Sequence, residues 1–90
     1  MASYKITFKK SVAKDLRTIP NQDVKRILQR IDALAVDPRG GGCVKLSGLE
    51  RYRVRQGVYR IVYGIQDDRQ IVQIVQVVKV GHRSSVYGSN

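Results

Sequence analysis

Six residues of this chain could share one piece of chemistry: Arg53, Arg55, Arg60, His82, Arg83 and Tyr87. Guanidinium groups bind phosphate through paired N–H donors and offset the charge that develops around a crowded phosphorus. Histidine changes charge near neutral pH, which suits proton transfer. A tyrosine offers a ring on which a base can stack and a hydroxyl that can hold a proton. Lys45, Arg51 and Lys79 add positive charge nearby and are candidate RNA contacts. The set reads as chemistry on a phosphodiester.

The stretch Arg51–Tyr63 has to position most of these groups. Arginines alternate there with apolar or aromatic residues, the period-2 pattern of strands with one buried face. Gly57 interrupts the run where a tight reversal needs a positive φ. A two-residue turn at Gln56-Gly57 predicts Arg53 opposite Arg60, and it gathers Tyr52, Val54, Tyr59, Ile61 and Tyr63 on one apolar face. Arg53, Arg55 and Arg60 then crowd the other face. Facing like charges destabilise a hairpin, so the cluster calls for an anion or a partner, unless it is no more than a solvated basic surface.

Around the hairpin the periodicities are readable. Tyr4, Ile6 and Phe8 alternate as a first strand. Val12, Leu16 and Ile19 mark a helix from about Lys9 to Thr18. Asn21 is placed to cap a second helix, whose stripe of Val24, Ile27, Leu28, Ile31, Leu34 and Ala35 runs to about Val36 before Asp37-Pro38. Arg39-Gly-Gly-Gly42 reads as a flexible connector, since no Lys-[Ser/Thr] follows it to make a P-loop. Val44–Leu49 leads into the hairpin, Gln66–Arg69 turns the chain, and Gln70–Val80 reads as an inner strand ended by Gly81. The expected fold is α+β in the order β-α-α-β-β-β, an antiparallel sheet with both helices on one face. Strand four pairs with strand three, which brings the His82–Tyr87 tail toward the arginines.

Residues 1–90 make one domain with a small core. Seventeen Lys and Arg against seven Asp and Glu leave a net charge of +10, which favours polyanionic partners, nucleic acid first. No apolar run is long enough to span a membrane, and the N-terminus enters a strand rather than a signal peptide. Cys43 is the one cysteine, which excludes an intrachain disulfide and fits a reducing cytoplasm. One histidine and one cysteine far apart do not make a zinc set, and no cofactor motif is present.

Lys45-Leu46-x-Gly48, Tyr52-Arg-Val-Arg55-x-Gly57-x-Tyr59-Arg60-Ile-Val-Tyr63, Val80-Gly-His-Arg83 and Val86-Tyr87 together resemble the RelE family of toxin–antitoxin ribonucleases. The resemblance covers nearly the whole chain, helical hairpin included, and implies a microbial-ribonuclease-like α+β fold. It further implies cleavage of mRNA in the ribosomal A site by attack of the substrate's own 2′-hydroxyl, growth arrest, and neutralisation by a cognate antitoxin. By position, Arg53 and Arg55 stand where well-known members have lysines. Arg60 matches the arginine that binds the scissile phosphate, Arg83 one that stabilises charge or the leaving group, and Tyr87 the tyrosine that stacks on the base. Arginine keeps its proton at neutral pH, so the resemblance leaves His82 or Tyr87 more of the proton transfer. No C-terminal helix is expected after Tyr87.

Two other readings share these observations. A gyrase-directed toxin of the related ParE type has the same fold without nuclease chemistry, and such proteins usually lack the assembled basic and tyrosine set. A plain basic RNA-binding module accounts for the charge but not for the tail motif.

Overall fold

The computed structural model describes residues 4–46, 48, 50–67 and 73–84. The chain runs through β1 (Lys5–Phe8), α1 (Lys10–Arg17), α2 (Asn21–Leu34), β2 (Val44–Lys45), β3 (Tyr52–Gln56), β4 (Tyr59–Asp67) and β5 (Gln73–His82). One five-stranded sheet has the order β1-β5-β4-β3-β2. Its heart is the expected antiparallel meander β3-β4-β5.

The edges differ from the expectation. β1 joins β5 in parallel, with Ile6 beside Val75 and Phe8 beside Val77, so the sheet is mixed rather than wholly antiparallel. The α-helical hairpin between β1 and the meander supplies the crossover that a parallel neighbour needs. Val44 and Lys45 form a short extra strand against Arg53 and Tyr52. Gly81 does not end the last strand: β5 continues through His82 because β4 still offers Arg60 and Tyr59 as partners.

Both helices pack on the same side of the sheet. Val12, Ile19, Ile27, Ile31 and Leu34 close over Val54, Ile61, Tyr63, Val75, Val77 and Val80. Pro20, not Asn21, takes the capping position of α2: its φ of −55° is fixed by the ring, and its carbonyl accepts the N–H groups of Asp23 and Val24. α2 stops at Leu34 rather than Val36, and Leu28 of the predicted stripe is exposed beside Phe8. No described helix is long and apolar enough to cross a membrane.

The glycine loop is held rather than merely spliced in. Tyr63 Oη donates to the Pro38 carbonyl at 2.6 Å, Arg30 Nη2 donates to the Gly41 carbonyl at 3.2 Å, and the Arg39 guanidinium lies 5.8 Å from the centre of the Tyr52 ring.

Candidate functional site

The hairpin turns one residue later than the sequence predicts. Gln56 faces Tyr59, Arg55 faces Arg60, Val54 faces Ile61 and Arg53 faces Val62. Gly57 takes φ of 61° at the first turn position, and Val58, which is β-branched, keeps a negative φ. That is the pattern of a turn with glycine in the first of two central positions. Moving a two-residue loop by one residue preserves the parity of the strands. Tyr52, Val54, Tyr59, Ile61 and Tyr63 therefore share the core side as expected, but the facing arginine pair is Arg55–Arg60 rather than Arg53–Arg60.

On the side away from the helices, Val62 is 8% exposed although no described helix packs there. Its register neighbour Arg53 and its same-strand neighbour Arg60 share that face, and arginine stems are long enough to cover apolar surface. Arg53 Nε is buried without a hydrogen-bond partner among the described residues, and Arg60 Nε and Nη1 are buried as well. Leaving a buried donor unmade costs about 1–3 kcal/mol, so this face holds Arg53 at some expense.

The end of β5 completes the cluster. Gly81 sits opposite Arg60 and contributes no side chain there. The N–H of Arg83 then donates to the Val58 carbonyl at 2.8 Å, which binds the residue after β5 to the hairpin turn. The outcome is a notch of about 50 Å³ lined by Arg55, Gly57, Tyr59, Arg60 and Arg83. Three guanidinium-bearing residues around a notch of that size can receive a phosphoryl group and neutralise its oxygens.

Other predicted site residues lie elsewhere. His82 faces Tyr59 on the core side, with the rings edge to face and their centroids 6.2 Å apart. It lines a separate cavity of about 600 Å³ with Lys14, Asp15, Tyr59 and Lys79. The Ser84 N–H donates to His82 Nδ1 at 3.1 Å, and Ser84 Oγ lies 2.8 Å from the same nitrogen. Accepting at Nδ1 assigns the proton of a neutral ring to Nε2. The sheet thus separates His82 from the Arg55–Arg60 pair, against the expectation that the tail would bring them together. Tyr87 falls outside the described residues.

Among the candidate RNA contacts, Arg51 lies along the arginine face: its Nη1 donates to the Glu50 carbonyl at 3.2 Å and passes over Gly64. Lys45 is opposite Tyr52 on β2 and 3.9 Å from Glu50. Lys79 turns the other way, its Nζ 3.7 Å from Asp15 Oδ1 on α1.

Asp15 is the residue that the sequence reading passed over. β5 carries an irregularity beside Val62/Tyr63, and just beyond it the Val80 N–H donates to Asp15 Oδ2 at 3.1 Å. Asp15 is the one acid on an otherwise basic α1, three residues after the buried Val12, and that placement was the available signal.

Tyr59 and Tyr63 are not poised as bases. Burial pushes the Tyr63 phenol well above its ordinary range, and Cys43 beside it adds to the shift. Desolvation likewise raises Tyr59, helped by the Asp23 carboxylate, whose Oδ2 lies 3.5 Å from the phenol oxygen. Among the described residues no His, Cys, Asp and Glu side chains group into a set of three or more that could hold a metal.

Known proteins bear on the chain at this point. Residues 6–87 match the family described as the ParE toxin of type II toxin–antitoxin systems, parDE. The search of curated proteins found no match. Among solved structures, the RelB–RelE complex from Methanococcus jannaschii is similar at 28% identity and a TM-score of 0.65, over 90% of this chain and 94% of that one. The archaeal RelE–RelB complex from Pyrococcus horikoshii gives 26% and 0.76, over 92% and 98%. A free arginine-to-alanine mutant of the E. coli toxin RelE gives 0.77 at 19% identity, over 93% and 87%, a likeness of fold. The chain belongs to the ParE toxin family, within the RelE/ParE superfamily, and is a toxin of a type II toxin–antitoxin system.

Proposed function

We propose that this toxin is a ribosome-dependent endoribonuclease that cuts mRNA in the ribosomal A site and so arrests translation. The observation that carries the reading is the notch at the hairpin turn, where Arg55, Arg60 and Arg83 converge. The substrate's 2′-hydroxyl attacks the adjacent phosphorus and forms the 2′-O–P bond. The bond from phosphorus to the 5′-oxygen breaks, the hydroxyl proton leaves, and the departing oxygen takes up a proton. The products are a 2′,3′-cyclic phosphate and a 5′-hydroxyl end. The guanidinium groups hold the phosphate and offset the charge that grows on its oxygens, without exchanging protons themselves.

The RelE chains of Pyrococcus horikoshii and Methanococcus jannaschii were solved in complex with RelB. By the same likeness, a cognate antitoxin holds this toxin in check. A segment with acidic and apolar residues suits the arginine face, since opposite charge speeds encounter and desolvated apolar anchors slow release.

A second reading has the family match in its favour: a ParE-like toxin directed at gyrase, on the same fold and without nuclease chemistry. Primer extension on a reporter mRNA after brief induction separates the two. Discrete cuts within the translated frame are expected of the nuclease. Intact mRNA with DNA damage would favour the gyrase reading.

A further inference from the structure

The side of the sheet away from the helices does not end at the arginine notch. Four residues along β4 from Arg60, about 13 Å at strand rise, the same side opens into a groove of about 360 Å³. Thr7, Arg51, Gly64, Gln66, Ile74 and Gln76 line it, together with Glu50 and Ile65. Register explains the assembly: Gly64 pairs with Gln76, Gln76 with Thr7, and Gln66 with Ile74. Gly64 makes the depression. Its lack of a side chain leaves room in which the Arg51 side chain lies low over the sheet, since an added Cβ would stand 3.3 Å from Arg51 Nη1.

The lining has a chemistry that a phosphate site does not need. Gln66 and Gln76 are exposed amides, each able to donate and accept at once. A glutamine amide can make two hydrogen bonds to one base edge, adenine above all, and an arginine plane can stack on a base. Ile74 supplies an apolar wall. The volume lies at the low end of small-molecule pockets, which run from about 300 to 1,000 Å³. The face between groove and notch carries Arg53 and Arg60 and no described acidic strand residue, while Glu50, which lines the groove, stands 3.9 Å from Lys45. Charge along the path therefore suits a polyanionic strand.

Resting on the nuclease reading, we propose that this groove is a base-reading subsite. It takes a nucleobase of the same RNA strand a short distance from the cut, and it sets the toxin's sequence preference. Gln66 and Gln76 read the base edge, Gly64 lets Arg51 lie low enough for its guanidinium plane to stack on the base, and the arginines carry the backbone between groove and notch.

The test uses single-turnover cleavage on ribosomes programmed with messages that differ in the bases flanking the cut. It compares the wild type with Gln66→Ala, Gln76→Ala and the double variant, whose exposed positions leave the fold alone. Discrimination at one flanking position is expected to fall on the order of ten-fold in the double variant, with the preferred message still cut. Cutting with an unchanged base preference in all three variants would overturn the subsite while leaving the nuclease reading intact. Antitoxin capture is measured alongside: variants that bind antitoxin poorly and keep the wild-type preference would assign the groove to the protein partner instead. No cutting by the wild type would overturn the nuclease reading and the subsite with it.

Discussion

The backbone N–H of Arg83 bonds to the carbonyl of Val58 at 2.8 Å, so the residue that follows the last strand is tied to the turn of the central hairpin. Arg83 thereby joins Arg55 and Arg60 without belonging to either of their strands. A positioned charge is worth more than a mobile one, because its geometry is settled before the reaction begins. The bond matters more to the notch than its position near the end of the chain would suggest.

Asp15 supports that arrangement from α1. Its carboxylate accepts the Val80 N–H and stands near Lys79, one and two residues before Gly81. Asp15→Ala leaves the Val80 donor without its acceptor in a part-buried place. Urea unfolding should show a loss of about 1–3 kcal/mol. Unaltered stability would mean that the carboxylate does not hold β5.

Tyr63 ties β4 to the glycine loop through the Pro38 carbonyl. Its folded-state pKa is raised, chiefly by burial, above the ordinary value near 10. A group raised in this way contributes stability that is fully present below about pH 10. That stability is lost as pH rises from there toward the folded value. Stability against pH should therefore be flat around neutrality on this account and fall on the alkaline side. Tyr63→Phe should lower stability by about 1 kcal/mol at neutral pH and make the alkaline limb shallower. An alkaline limb as steep as that of the wild type would refute the assignment.

His82 lies on the other side of the sheet from the arginine pair, with Nδ1 engaged by Ser84. His82→Gln should leave the cleavage rate within a few-fold of the wild type and its pH profile unmoved. A loss comparable to that from removing an arginine would place the imidazole in proton transfer after all.

The alternation around Arg53, Arg55 and Arg60 was enough to assign the two sides of the hairpin, because side-chain direction depends on parity alone. It could not distinguish a turn at Gln56-Gly57 from one at Gly57-Val58, since both are two-residue loops that keep the parity. The partner of Arg60 was therefore misread while its face was right. His82 shows the complementary failure. Neighbours on a strand point to opposite sides, so His82 and Arg83 part company once β5 is known to run past Gly81. A glycine beside a gap in the apolar pattern looked like a stop, and no local signal shows that β4 still offers it a partner. The parallel pairing of β1 with β5 was equally illegible, since periodicity along β1 says nothing of a neighbour reached through two helices.

The most direct test of the account is the single-turnover rate of Arg60→Ala and Arg83→Ala on programmed ribosomes, each variant first shown to be folded. Neither side chain belongs to the apolar core. Each substitution should lower the rate about 10²–10³-fold, the usual cost of one positioned charge-stabilising group. Arg60→Lys should restore only part of it, because an ammonium cannot reproduce a bidentate fork. Wild-type rates from both alanine variants would contradict the assignment of the notch as the active site.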